Sequence, residues 1–370
     1  MKKTLAALAV MTMAAGSICA AEVSVYGILD MGMSFSRKGG DNGDNKIQTA
    51  MKSGMRNSSR FGLKGSEDLG NGYKVGFILE SQFGADTGAL QTQNVLWERE
   101  SSLWLSGDFG KLTFGRVGYL KGVVGSTSLM NSYRVNPFGS QMSNFVTGYK
   151  AYTTGTTWYC NNGIVYQTPT WANLTGYLQY SNAVTDEGQE YDDQDRYFAG
   201  ALRYASGPLL LQMIVDTTNR GSKATLSDKT NSDPMSIGVQ TAYDFGFIKP
   251  YFLMEAFKNS SLNSVGSYLK GNGLYDGMGA TFVLQWPIGA GKAKVGGGYM
   301  KASSSDCVTQ DKENDVTRIG FSVGYDYVLS KRTHLYANYG FVQQNTETKS
   351  SDETVRDSGM EVTMGMVHYF

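Results

Sequence analysis

Beyond residue 21 the 370-residue chain has no apolar run approaching the roughly 18 residues that a membrane-spanning helix requires. Other things are scarce as well: two histidines, six prolines, three cysteines and no net charge. Basic and acidic residues balance at 33 each, which argues against the cationic surplus of a nucleic-acid binder. His334 and His368 are the only imidazoles, and no H-E-x-x-H motif occurs. Acid–base and metal hydrolysis therefore lack their usual residues, and no enzyme activity, cofactor or metal centre is expected. Outside the first 21 residues only Cys160 and Cys307 remain, far apart in sequence. An exported compartment permits a disulfide, the spacing does not decide it, and two unpaired thiols are the default reading.

What is present points outward from the cell. Lys2 and Lys3 precede an apolar stretch from Leu5 to Ala15, followed by small residues through Cys19-Ala20-Ala21. That is the layout of a cleavable signal peptide over 1–21, with cleavage after Ala21 or, as the alternative, after Ala20. Gly16-Ser17-Ile18-Cys19 lacks the leucine of a lipoprotein site. Residues 22–370 then hold glycine and tyrosine in quantity, and the whole chain has 12% aromatics and only 18% charged residues.

Alternation runs the length of this region. Ile319, Phe321, Val323, Tyr325 and Tyr327 interleave with Arg318, Gly320, Ser322, Gly324 and Asp326. Val362, Met364, Met366 and His368 interleave with Glu361, Thr363, Gly365 and Val367. A period of two places each set on one face of a strand, one face apolar and the other compatible with water. Seven short turn sequences punctuate the chain, at 67–72, 107–110, 168–170, 206–208, 244–246, 287–291 and 330–332. Long polar stretches lie between them, including 39–53, 186–195, 217–233, 303–315 and 343–358. Seven turns leave eight intervals, each with room for one strand up, a loop and one strand down. The fold class expected is thus all-β, a 16-stranded antiparallel transmembrane barrel with short turns at one end and long loops at the other. One interval, 108–170, carries an excess on the order of 20 residues, assigned to a long third loop. Sixteen strands leave an aqueous lumen where eight would be filled by side chains.

Several stretches resemble the general diffusion porins of Gram-negative bacteria, especially the β-proteobacterial type. They are Arg60-Phe61-Gly62-Leu63-Lys64-Gly65-Ser66-Glu67-Asp68-Leu69-Gly70-Asn71-Gly72, Leu105-Ser106-Gly107-Asp108-Phe109-Gly110-Lys111-Leu112-Thr113-Phe114-Gly115-Arg116, Tyr325-Asp326-Tyr327 with Leu329-Ser330-Lys331-Arg332-Thr333, and the terminal His368-Tyr369-Phe370. The resemblance implies an outer-membrane channel for passive diffusion of small hydrophilic solutes and ions. It also implies a homotrimer embedded among lipopolysaccharide and outer-membrane lipid. The third loop would fold into the lumen, and the strand ending at Phe370 would be presented to the barrel-assembly machinery. In that family arginines of the early strands face acids of the third loop across a constriction.

Parity puts Arg60 on the water face, since Phe61 and Leu63 take the other, and Arg56 two steps higher on the same face. Glu80 is inward because Val75, Phe77 and Leu79 point out. Arg99 lies where apolar residues occupy both parities, so its place in the pore rests on the resemblance. Arg116 shares parity with Leu112 and Phe114 and reads as a subunit-interface residue. The third loop departs from the family: from Phe109 to Thr185 there is no Asp or Glu, yet Lys121 and Arg134 are present. Arg56, Arg60, Glu80, Arg99, Lys121 and Arg134 are therefore the expected constriction set, and a preference for anions follows. The aromatics Tyr133, Phe138, Phe145, Tyr149 and Tyr152 suit either of two roles: pinning the loop, or lining a channel specific for a sugar or organic anion. Acidic runs at Asp41–Asp44 and Asp186–Asp195 lack calcium-loop spacing and read as solvated.

Overall fold

The computed structural model describes residues 22–130, 136–138, 145–146, 150–154, 158–184, 190, 193–221, 233–266, 268–271, 273–305 and 313–370. The expected leader, Arg134, Tyr133, Tyr149, Cys307, Asp186, Glu187 and Asp192 lie outside these residues. Strand β1 (Glu22–Gly40) opens the sheet, followed by β2 (Ile47–Ser53), β3 (Arg60–Gly70), β4 (Tyr73–Gln82), β5 (Glu100–Gly107) and β6 (Gly110–Gly118). Then come β7 (Tyr159–Gln167), β8 (Leu174–Ser181), β9 (Arg196–Ser206), β10 (Leu209–Asn219), β11 (Met235–Tyr243) and β12 (Lys249–Ser260). The last five are β13 (Tyr275–Ile288), β14 (Gly291–Ser304), β15 (Asn314–Val328), β16 (Thr333–Thr348) and β17 (Glu353–Tyr369).

Every neighbour is antiparallel, and β17 returns to pair with β1 from Ile28↔Tyr369 to Gly40↔Asp357, closing the sheet. The seventeen segments make sixteen positions, because β2 and β3 share one side of β1. Met31 faces Ser53 of β2, while Ile28 faces Arg60 of β3. Opposite Leu29 and Asp30 the chain spends residues 54–59 on an excursion off the wall. All seven short turns fall where the punctuation places them. At Gly70-Asn71-Gly72 all three residues have positive φ, between 52° and 81°, a run that needs Gly and Asn.

The long polar stretches are less loop-like than their composition suggests. Residues 343–358 are mostly strand, since β16 runs to Thr348 and β17 starts at Glu353. Likewise β10 reaches Asn219 and β2 occupies much of 39–53. Above the apolar band both faces meet water, so the alternation fades while the backbone goes on pairing.

The two faces differ as parity demands. Outward positions such as Leu103, Leu178, Phe282, Ile319 and Met364 are exposed, and those sharing the other face, such as Thr113, Gln179, Thr281, Ser322 and Thr363, are buried. Tyr73, Phe109, Trp171, Tyr243, Phe245 and Phe247 collect near the short-turn rim, where amphipathic rings suit a bilayer interface. Placing a charge in the outer band is expensive. Leu178→Arg is expected to lower the unfolding free energy by about 2–4 kcal/mol, read from denaturant midpoints in lipid vesicles; Lys64→Arg, on the inner face, should leave the midpoint within error.

Candidate functional site

The inward face gathers charged side chains into a few joined clusters. On β3–β5, Glu80 takes Arg99 Nε at 2.6 Å and Arg60 Nε at 3.2 Å. The Tyr26 hydroxyl donates to the same carboxylate at 3.0 Å, and Arg99 Nη1 donates to Gln82 Oε1 at 2.6 Å. Arg99 lies just before β5, outside the ladder, and this frees it from strand parity. Its backbone N–H still reaches Glu80 O. Glu100 stands opposite Glu80 in register and accepts from Ser102 Oγ, Ser126 Oγ and Ser126 N–H at 2.6–2.7 Å.

Arg56 is reached by a different route from the one parity suggests. It sits on the 54–59 excursion rather than on a strand. Asp30, fully buried on β1, organises that segment. Its Oδ2 accepts the N–H of Arg56 at 2.7 Å and that of Asn57, while Oδ1 accepts the Tyr336 hydroxyl at 2.6 Å. Gly54 N–H donates to Asp30 O at 2.8 Å. So held, Arg56 Nη2 reaches Asp326 at 3.1 Å, whose other oxygen takes Lys294 Nζ at 3.0 Å.

Lys121 belongs to a third cluster. Its ammonium meets Glu255 at 3.1 Å, Ser236 Oγ at 2.8 Å and Asp216 at 3.9 Å. Burial works to lower its pKa, but the two carboxylates outweigh burial and the net displacement is upward, so Lys121 stays charged. Glu255 also accepts the N–H and hydroxyl of Thr154. With β2 and β3 counted as one position, β12 lies eight positions from β4, so Lys121 stands across the barrel from Glu80.

Other described residues between β6 and β7 touch inward wall groups too. Leu120 N–H donates to Gln179, Gln212 to Leu129 O, Lys294 to Pro137 O, Phe145 N–H to Glu361 and Arg318 to Ala151 O. Phe138, Phe145 and Tyr152 are buried to 1% exposure or less. Tyr152 packs its carbonyl against Gly279 and its ring against Gly298, two wall positions where a side chain would collide with it.

The structure thus joins Arg60, Glu80 and Arg99, and it sets Arg56 and Lys121 in separate clusters. Arg116 keeps outward register opposite Ser101 on β5. It donates to Glu98 O and Asn161 Oδ1, and its guanidinium lies 4.1 Å from the Tyr159 ring centroid. Asp30, Glu255, Lys294, Arg318, Asp326 and Glu361 were not in the expected set. Alternation alone would have placed Arg318, Asp326 and Glu361 inward, but not their partners. Cys160 is buried on β7, and no cluster suited to a metal occurs among the described residues.

A closed sixteen-position barrel, apolar outside and charged within, defines a membrane channel. The chain belongs to the Gram-negative porin family, whose model matches residues 5–347. It is an outer-membrane porin, a passive channel rather than an enzyme. An outer membrane porin protein of Bordetella pertussis is 29% identical over 93% of this chain and 95% of its own. Outer membrane porin protein 32 of Delftia acidovorans is 30% identical over 93% and 90% respectively. Among solved structures, an anion-selective porin from Comamonas acidovorans superposes with a TM-score of 0.70 at 22% identity, covering 95% of this chain and all of that one.

Glu80 is the hinge of the first cluster. Glu80→Gln leaves Arg99 buried beside no full counter-charge, and a loss of about 3–5 kcal/mol in stability is expected. Urea unfolding of the variant checks this, and an unchanged midpoint would mean that the triad is not coupled.

Proposed function

We propose that this porin prefers anions and that the third loop, spanning 119–154, folds into the lumen to form the constriction. The observation that carries this reading is an imbalance of accessibility. Six inward carboxylates, Asp30, Glu80, Glu100, Glu255, Asp326 and Glu361, are under 9% exposed and hydrogen-bonded, Asp216 is half-buried beside Lys121 and the exposed Asp68 is held by Lys74, whereas Lys64 and Lys292 are open to water and Arg60 is partly so. The sequence of the third loop holds Lys121, which is paired with Glu255, and Arg134, and not one acid. In a narrow passage of lowered dielectric an accessible positive lining raises the local concentration of anions. Contacts from Leu120, Leu129, Pro137, Phe145, Ala151 and Thr154 to inward wall groups support the inward course of the loop.

Burial of Phe138, Phe145 and Tyr152 favours pinning over an aromatic slide, and hence general diffusion over a channel specific for one sugar or organic anion. The remaining parts of the reading follow the family. Residues 1–21 act as a signal peptide removed on export, and the strand ending at Phe370 engages the barrel-assembly machinery. The mature chain trimerises amid lipopolysaccharide, with Arg116 near the seam, because an outward cation facing lipid alone costs roughly 2–4 kcal/mol.

Planar-bilayer recording in a tenfold KCl gradient is the direct test. A chloride-favouring reversal potential is expected, moving toward zero in Arg56→Gln/Arg60→Gln/Arg99→Gln. A potassium-favouring wild type would remove the anion preference. Gly279→Val, which collides with the Tyr152 carbonyl, is expected to give larger conductance steps if the loop narrows the lumen. Unchanged steps would argue against that course.

A further inference from the structure

Near the short turns the inner wall carries a second group of cations that borders the clusters above, since Lys64 rests on Tyr26 and Lys292 stands opposite Asp326. Lys64, Lys111, Arg203, Lys249 and Lys292 all have inward register. Lys64 shares the face of Arg60, Lys111 that of Thr113, and Arg203, Lys249 and Lys292 stand opposite Gln212, Gln285 and Asp326. Counting β2 and β3 as one position, these five occupy the second, fifth, eighth, eleventh and thirteenth of sixteen. They therefore encircle most of the mouth and do not form a patch on one wall.

Three of them rest on aromatic rings. Lys64 Nζ lies 5.2 Å from the Tyr26 centroid, Lys111 Nζ 4.7 Å from Trp104 and Lys249 Nζ 5.5 Å from Tyr251. A ring face holds an ammonium in place without cancelling its charge. Carboxylates do little to cancel it either. Asp244 stands 3.8 Å from Lys249, and Asp68 is engaged by Lys74 at 3.7 Å. Among the described residues, Lys64, Lys111, Arg203 and Lys292 form no ion pair. A recess of about 440 Å³, bordered by three cations, Arg56, Lys249 and Lys292, and two carboxylates, Asp244 and Asp326, opens into the same region.

We infer that this ring is a capture site for small multivalent anions of the oligophosphate type at the periplasmic mouth. The inference rests on the barrel being a water-filled channel whose short turns face the periplasm. A single exposed cation holds chloride poorly and salt screens it. An anion carrying several charges engages several fixed cations at once, so its residence grows with valence while that of chloride does not. Occupancy of the mouth then obstructs current, and it does so more effectively from the short-turn side.

The test is one-sided addition of inorganic tripolyphosphate to single channels of the full protein at low KCl. Orientation is assigned through Asn71→Cys, an exposed turn position, labelled with a charged thiol reagent from one compartment. Block from the short-turn side is expected at roughly tenfold lower concentration than from the loop side. Lys64→Gln/Lys111→Gln/Lys292→Gln is expected to abolish that difference, and Arg203→Gln alone to reduce it, which keeps the question decidable if the triple variant does not insert. Equal block from both sides, or sided block that survives the substitutions, would overturn the ring. A potassium-preferring channel that still shows sided, lysine-dependent block would sustain the ring and reject the anion-preferring constriction.

Discussion

In the hydrocarbon interior of a membrane no water exists to satisfy a bare N–H or C=O, and that one constraint organises this molecule. A sheet can obey it only by closing, so β1 has to serve two neighbours at once. From Ile28 to Gly40 it pairs with β17 on one side, and on the other it pairs with β3 up to Ile28 and with β2 from Met31 to Arg37. Closure also forces alternation on every strand, because each wall residue must choose between lipid and lumen. The apolar exterior and charged interior are two readings of the same ladder.

The interior in turn faces a problem that soluble cores avoid. Charged groups near one another in a confined space must be paired, hydrogen-bonded or left to water. Here the carboxylates are covered by donors: Asp30 by two backbone N–H groups and Tyr336, Glu80 by two arginines and Tyr26, Glu100 by Ser102 and Ser126. Several of these acids also tie down other segments. Asp30 shapes the excursion that delivers Arg56, and Glu255 and Glu361 meet Thr154 and Phe145. With these acids occupied as structural ties, Lys64 and Lys292 are left facing water on the inner wall.

Much of this was legible beforehand, and the parts that were not share a cause. All seven short turns were readable because each needs particular residues at particular places. The strand count and the inward course of Arg60 and Glu80 followed from turns and parity. Residues 343–358 were misread as loop, since above the apolar band both faces are polar and composition no longer marks a strand. Arg56 was placed on a strand because its spacing from Arg60 is even, yet residues 54–59 leave the ladder. Asp30 draws them off the wall, and it is distant in sequence.

Sequence by itself determined the local choices: where the chain turns, which side chains alternate outward, and that the third loop holds cations without acids. These depend on neighbours a few residues apart, and periodicity records them faithfully. Only the tertiary structure decided which charges meet. Arg99 finds Glu80, Arg56 finds Asp326, and Lys121 crosses to Glu255, pairs separated by 19 to 270 residues. Closure of the barrel sets those distances. An ion pair's strength depends on separation and burial, so the electrostatic character of the lumen exists only once the last strand has met the first.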